Sequence, residues 1–349
     1  VDGELISLNK LELESLSARE EKWYDLDIPK LPVGITTILF EYSAKCDNSL
    51  CEKDTVLGHD QFIIETEAKN IESVNKKGYR LAERPHDILL LENISHNLST
   101  EFIGKNIIHL DTVGSTNDYA KEIGNKVNGG TLIISEQQTK GKGRLGRSWK
   151  SKSGDGIWMS LIIKPKIEPY RTPFLTLVAG ASIIKALDNL GVDVSIKWPN
   201  DIILNHKKIC GILTELSAEM ERVNYIVMGI GINVKTLEFP EEIKEKANSL
   251  YKEGYKLSRV DIVRQFCIEF EKLYKAYILD GNKDSTLEIC KKYSAIIGNH
   301  VYLIKNNKKE LVECIDINEN GNLIIKENNG EIKEILSGEV SIRGVKGYV

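Results

Sequence analysis

What the sequence lacks narrows its class first. No uninterrupted apolar run in the 349 residues approaches the roughly 18 that a membrane-spanning helix needs. The opening segment VDGELISLNK carries acids where a secretory signal has a basic and then an apolar stretch. Proline (8) and glycine (27) are too few for a disordered or collagen-like chain. Cysteine is sparse too. Of the six, Cys210, Cys267, Cys290 and Cys314 stand alone inside apolar patterns and read as small buried hydrophobes. Cys46, Cys51 and His59 offer three metal ligands, but the fourth that a structural zinc site needs is not evident. These absences predict a reduced, cytoplasmic chain, off the membrane and without a resident metal.

A strong charge is missing as well: 47 basic against 51 acidic residues leave −4, which excludes polyanion binding by bulk electrostatics. The distribution is uneven, however. Residues 1–70 hold 15 Asp and Glu against 7 Lys and Arg, a local −8. With 41% hydrophobic residues, the length allows two or three domains of about 150 residues each.

The first segment is rich in loop signals, with GITTILFEYS reading as a strand. IESVNKKGYRLAE then reads as a hairpin, because Gly78 can take the φ > 0 that a tight connection needs. A connecting stretch runs to about Gly104. From 105 to about 296, strands (IIHLD, GGTLIISEQ, GIWMSLIIKP) mix with helices. One helix follows the cap residue Ser115, one opens at Thr172-Pro173, and one follows Ser258. VSIKWPNDIIL, KKICGILTELS and NYIVMGIGINV read as three successive strands. This pattern predicts an α+β layer. Residues 297–349 read as short strands divided by NNKK, NENG and NNG turns, the spacing of a small β-barrel.

Two clusters carry chemistry. In Gly141-Lys142-Gly143-Arg144-Leu145-Gly146-Arg147-Ser148-Trp149, three glycines alternate with three cations. Glycines let a backbone approach a ligand closely, and the cations add charge-assisted bonds to anionic oxygens, so the loop suits a phosphate or adenylate. It is not a Walker loop, since GxxxxGK[ST] is absent. The second cluster is Lys197-Trp198-Pro199-Asn200-Asp201, where a lysine closing a strand is aimed by its rigid neighbours and Asn200 and Asp201 sit at a turn. By themselves Ser115-Thr116-Asn117 would be ordinary helix capping, and Gln138 and GIGIN strand ends.

Together and in this order, STN (115–117), EQQTKGKGRLGRSW (136–149), KWPNDIIL (197–204), KKICGILTE (207–215) and GIGINV (229–234) strongly resemble the biotin protein ligase family. SGEVSIR (337–343) resembles its C-terminal domain. The resemblance implies a catalytic domain related to class II aminoacyl-tRNA synthetases over 105–296 and an SH3-like domain over 297–349. It further implies ATP and biotin as substrates, Mg²⁺ with the ATP, a biotin carboxyl carrier protein as acceptor, and a homodimer in many members. Catalysis would rest on Lys197 and Arg144. Ser115, Thr116, Asn117, Gln138, Lys142 and Gly143 would join them in binding biotin, with Arg147, Trp149, Asn200 and Asn233 toward the adenylate. Many members carry arginine where this chain has Lys142, so the bidentate fork is lost there while the charge is kept.

Larger members add an N-terminal winged-helix repressor domain. The hairpin at 71–84 resembles its wing, with Lys76, Lys77 and Arg80 able to meet phosphates, whereas no basic recognition helix is evident upstream and −8 opposes DNA. Residues 1–84 therefore stand as an unassigned domain, DNA binding stays open, and a ligase that also represses is one alternative. A lipoyl-type ligase is another, although its RRxSGGGAVxHD-like block is missing. A factor that senses biotinyl-adenylate without transferring it is the non-enzyme alternative.

Overall fold

The computed structural model describes the strands at 34–45, 55–66, 71–74 and 78–81, and then residues 87–349 apart from 220–221, 306–307, 338–339 and 346–347. Cys46 and Cys51, Lys76 and Lys77 of the hairpin connection, and Gly338 and Glu339 of the SGEVSIR block lie outside the described residues, as does the rest of 1–70 apart from the strands at 34–45 and 55–66. Two compact units are distinguished, Val1–Pro85 and His86–Val349. In the first, β1 (Gly34–Lys45) and β2 (Thr55–Thr66) pair antiparallel, Gly34 opposite Thr66. The expected hairpin is present as β3 (Ile71–Val74) and β4 (Gly78–Leu81), with Val74 opposite Gly78.

The second unit is α+β. Its seven strands are β5 (Ile107–Val113), β6 (Thr131–Gln138), β7 (Gly156–Ile163), β8 (Ser195–Lys197), β9 (Asp201–Leu204), β10 (Lys207–Glu219) and β11 (Arg222–Asn233). They form one mixed sheet ordered β5-β6-β7-β11-β10-β9-β8, parallel at β5–β6 and antiparallel elsewhere. The period of two decides what covers each face. Ile133, Ile162 and Val227 pack with Ala120 of α2 (Thr116–Ile123) in one core. Their alternates Leu132, Ile134, Leu161, Ile163 and Met228 join the main core with α3 (Thr172–Asn189) and α4 (Arg259–Leu279). Helices on both faces explain why these strands read as apolar runs rather than alternations.

The C-terminal strands, β12 (His300–Lys305), β13 (Lys308–Ile317), β14 (Leu323–Lys326), β15 (Ile332–Ile335) and β16 (Ser341–Gly344), make an antiparallel sheet ordered β15-β14-β13-β12-β16. Gly321, at φ 81°, forms the β13–β14 turn, and its carbonyl accepts the indole N–H of Trp198 at 2.9 Å. A side chain there would run into Leu177 and Phe174 of α3. This contact ties the C-terminal sheet to the Lys197 turn.

Three expectations need correction. VSIKWPNDIIL is two strands, not one: Trp198-Pro199, a cis peptide, reverses the chain, so that Lys197 pairs with Asp201 and Ser195 with Ile203. Proline has no N–H for a continuous ladder. The connecting stretch before Gly104 contains a short helix, α1 (Leu91–Ser95), which buries Ile94. The segment after Gly281 contains α5 (Asp284–Lys292), which buries Leu287 and Cys290 and was not anticipated.

One buried charge cluster fixes α4 to the sheet. Arg259, its first residue, donates to Glu136 Oε2 at 2.7 Å, to the Gly156 carbonyl at 3.1 Å and to Asp87 Oδ2 at 3.1 Å. Burial opposes the Glu136 carboxylate, but the His109 imidazole 3.6 Å away and the bonds from Arg259 outweigh it and hold its pKa at about 2. Because the folded pKa lies below the ordinary value of 4.5, this contribution is present above that value and is lost as pH falls toward 2. Glu136→Gln leaves a buried arginine half-partnered and is expected to destabilise the fold by about 3 kcal/mol at neutral pH. Urea denaturation should show the difference from the parent narrowing as pH falls below 4.

Candidate active site

A cavity of about 1070 Å³ is lined by residues of both sheets of the second unit. The twelve residues to which the resemblance gives a catalytic or binding role (Ser115, Thr116, Asn117, Gln138, Lys142, Gly143, Arg144, Arg147, Trp149, Lys197, Asn200 and Asn233) all line it.

Ser115, Thr116 and Asn117 open α2. Ser115 has the extended backbone of a cap residue, but its hydroxyl makes no capping bond, contrary to expectation. The start of the helix is held instead by Gln138 from β6, whose Oε1 accepts from the Thr116 amide at 2.9 Å and hydroxyl at 3.1 Å. Gln138 Nε2 donates in turn to Ser151 at 2.9 Å. Ser160 donates to Asn117 Oδ1 at 2.6 Å, and Asn117 Nδ2 donates to Glu215 at 2.7 Å. These bonds fix both faces of the Asn117 amide. Lys121 bridges Glu215 at 2.8 Å and Asp118 at 3.2 Å, and Asp118 pairs with Lys142 at 2.7 Å. The hydrogen bond from Lys142 is the largest influence holding the Asp118 carboxyl below its usual range.

The glycine-spaced loop is closed by its own backbone. The Gly143 amide donates to Arg147 at 2.7 Å and the Trp149 amide to Gly141 at 2.8 Å. Leu145 takes a left-handed φ of 57° and is 70% exposed, so the tip is held in a conformation that bulky residues rarely adopt. Arg147 is exposed. Arg144 points inward, donating to Asn200 Oδ1 at 2.8 Å and to the Ser337 carbonyl at 2.6 Å. Burial lowers its pKa, opposed by the nearby Asp201 charge, yet a guanidinium stays charged. Trp149 lies over Gly211 and Gly231, where a Cβ would strike its ring. Its indole N–H is buried without a partner among the described residues, a donor available to a ligand of the cavity.

Lys197 is only 3% exposed. Its ammonium donates to the Tyr348 carbonyl and sits 3.7 Å from the centre of the Tyr348 ring. The Tyr348 hydroxyl donates to Asp201, which also pairs with Lys208 at 2.5 Å. Burial pulls Lys197 down to about 7; Asp201 opposes this, while Arg343, Lys208 and Arg147 add to it. Asn233 ends β11, donating to the Asn248 carbonyl at 3.0 Å.

Sequence reading missed Ser151, Ser160 and Glu215, lone polar residues within strands or loops that gave no signal of their own. It also missed Lys208 and Tyr348, whose roles come from partners 149 to 201. The i, i+3 spacing of Asp118 and Lys121 was the one local clue to the ion-pair chain. No group of three or more metal-ligating side chains occurs among the described residues, and none of the described helices is long and apolar enough to cross a membrane.

Gly229 faces Asn117 so closely that an added Cβ would overlap its carboxamide. Gly229→Ala is therefore expected to displace Asn117 and to cost about 1–3 kcal/mol. Gly191→Ser, in open space but at φ 79°, would cost backbone strain without touching the cavity. Comparing the melting temperatures and ligand affinities of the two separates packing at the cavity from general destabilisation.

Residues 110–233 match the Biotin/lipoate A/B protein ligase family, and residues 296–343 match the Biotin protein ligase C terminal domain. The chain is 36% identical over 297 residues to the bifunctional ligase/repressor BirA of Bacillus subtilis (strain 168), covering 84% of this chain and 90% of that protein. Against the BirA of Escherichia coli (strain K12), identity is 30% over 78% of this chain and 84% of that one. A solved biotin protein ligase from Aquifex aeolicus, in complex with biotin and ATP, superposes with a TM-score of 0.61 at 33% identity, over 69% of this chain and 99% of its own. On these matches the chain belongs to the biotin protein ligase family.

Proposed function

We propose that the cavity performs both half-reactions of a biotin protein ligase, and that its residues divide the work as follows. A carboxylate oxygen of biotin attacks the α-phosphorus of ATP, the bond to pyrophosphate breaks, and biotinyl-5′-adenylate remains bound. The amine of an acceptor lysine then attacks the acyl carbon, AMP leaves with the electron pair of the C–O bond, and the amine loses a proton. The observation that carries this reading is the convergence of Lys197 and Arg144, from segments far apart in sequence, on one cavity beside the glycine-spaced loop.

Because the adenylate is itself an activated acyl donor, no nucleophilic side chain is needed, and the work is positioning and charge stabilisation. Cys210 fits this account, since complete burial pushes its thiol far up and leaves no thiolate for acyl transfer. Lys197 neutralises the carboxylate and α-phosphate oxygens as they close on each other. Arg144 and Lys142 clamp the joined adenylate, and Arg147 faces the phosphates. Ser115, Thr116, Asn117 and Gln138 receive the ureido ring and its neighbours through their fixed donors and acceptors. Trp149 packs against the adenylate, with Asn200 and Asn233 toward the nucleotide. Mg²⁺ arrives with ATP: the cavity lining includes Asp155 and Asp201 but no dedicated cage, the donor set of an ion held largely by phosphates and water.

The same reading makes 105–296 a class II synthetase-like catalytic domain, 297–349 an SH3-like domain, a biotin carboxyl carrier domain the acceptor, and the cytoplasm the compartment. A ligase that also represses is the second reading, favoured by the similarity to bifunctional ligase/repressors and opposed by the −8 balance of residues 1–70, which offers DNA phosphates repulsion rather than steering.

Lys197→Ala is expected to lower the rate of biotinyl-adenylate formation by at least about a hundredfold with an unchanged melting profile. Adenylate formed at the parental rate overturns the assignment. In the free enzyme the ammonium is lost as pH rises through about 7. kcat/KM for adenylation is therefore expected to decline above that pH. kcat should decline only at higher pH, since bound carboxylate and phosphate favour the charged lysine. Arg144→Gly should leave adenylation largely intact but release the intermediate, so that free biotinyl-adenylate appears by mass spectrometry without a carrier present.

A further inference from the structure

The lysine at the centre of the adenylation site is not open to a substrate as the side chains stand. Lys197 as a whole is 3% exposed. One N–H is given to the main-chain carbonyl of Tyr348, and the Tyr348 ring lies 3.7 Å away over the charge. The ring is held there by its own hydroxyl, which donates to Asp201, the residue paired with Lys197 across the β8–β9 turn. Arg144, the second cation, is held in a parallel way, since the Ser337 carbonyl takes one of its guanidinium N–H groups. Two carbonyls of one C-terminal segment therefore occupy the two cations that would receive anionic oxygens. The π face and the carbonyl present partial negative charge to the ammonium, which is the electrostatic pattern of the substrates in weaker form.

We propose that Tyr348 is a positioning residue of the adenylation site, one that keeps Lys197 aimed into the cavity before the substrates bind and yields its place to the biotin carboxylate and α-phosphate. The proposal rests on the assignment of Lys197 made above and deepens it. The Tyr348 carbonyl and ring occupy positions around the ammonium that anionic oxygens would take, so full engagement of the lysine by a carboxylate and a phosphate requires Tyr348 to move aside. A full negative charge outcompetes a carbonyl and a ring quadrupole for the same N–H groups, so the exchange runs toward the substrates. The apparent affinity for biotin and ATP is then the intrinsic affinity reduced by the fraction of molecules in which Tyr348 has moved away.

Removing the ring and its hydroxyl tether removes the ring's share of that competition and frees the main-chain carbonyl from the position the Asp201 bond holds it in. Tyr348→Ala is expected to lower KM for biotin and ATP about three- to tenfold, with kcat for adenylate formation within about twofold of the parent, because Tyr348 has left the lysine before phosphoryl transfer begins. Tyr348→Phe keeps the ring but loses its tether to Asp201, and should give a smaller fall in KM. A structural role alone would raise KM or lower the melting temperature instead. KM values unchanged or raised in both variants, with parental melting profiles, overturn the proposal. A second measurement needs neither turnover nor a truncated residue. 3-Fluorotyrosine placed at position 348 of the full chain is followed by ¹⁹F NMR during titration with a non-hydrolysable biotinyl-adenylate analogue. The resonance is expected to move toward its solvent-exposed position at saturation, and a resonance that stays put overturns the displacement. The two readings fail separately: adenylation that survives Lys197→Ala defeats the lysine assignment, whereas a static fluorine signal defeats only the role given to Tyr348.

Discussion

The site depends on one lysine amine set where water is nearly excluded. Desolvation penalises a buried cation heavily, and it is retained only where partners answer it. Around Lys197 those partners are the carboxylate of Asp201 directly across the turn and the carbonyl and ring of Tyr348. They compensate incompletely, since burial still pulls the lysine down to about 7. An under-compensated charge of this kind gains more from an arriving anion than a solvated lysine would, because low local dielectric strengthens every interaction made there. The difficulty of holding the cation and its capacity to stabilise a crowded phosphorus are therefore one physical fact.

Rigidity around that charge comes from two anchors. The Trp198 indole bonds to the Gly321 carbonyl at 2.9 Å, docking the β13–β14 turn onto α3 and the lysine turn. Asn200, two residues further on, receives Arg144 and donates to the Ile212 carbonyl at 3.0 Å, so the turn, the glycine-spaced loop and β10 share one amide. Opposite these cations, the Thr116–Gln138–Ser151 and Ser160–Asn117–Glu215 bonds satisfy the polar side chains among themselves. A neutral, hydrogen-bonding region and a cationic region thus lie in one cavity. That is the division required by a substrate with a polar ring at one end and an acid at the other.

Much of this was legible in the sequence for physical reasons. Glycines among cations, a Trp-Pro beside a lysine, and apolar runs bounded by turns are local patterns, and the cations of the loop and Lys197, Trp198 and Pro199 of the turn line the cavity. The reading failed where the cause was not local. VSIKWPNDIIL has the composition of one strand, and only the reversal at Pro199 divides it. Ser115 has the composition of a cap, but Gln138 from another strand supplies the bond that matters. Glu215, Ser160 and Tyr348 are ordinary strand or tail residues whose meaning comes from partners dozens to more than a hundred positions away. A one-dimensional pattern carries periodicity and turn chemistry, not pairing between distant segments.

That distance bears on how the C-terminal sheet should be understood. Were it a separate module, the cations of the central sheet would find their partners locally, and the cavity would end at the turn. Instead Ser337 and Tyr348 bond directly to Arg144 and Lys197, and Arg343 of β16 lines the same space and helps depress the lysine. The Trp198–Gly321 bond fixes the sheet at the base of the turn, while the carbonyls of Ser337 and Tyr348 meet the cations that the loop and turn present. A sheet fixed at one point and bonded to the reactive cations at another can alter their surroundings without dismantling the core beneath. The cavity is therefore completed by the C-terminal part of the chain, through Arg343 and Tyr348, which line it beside Lys197.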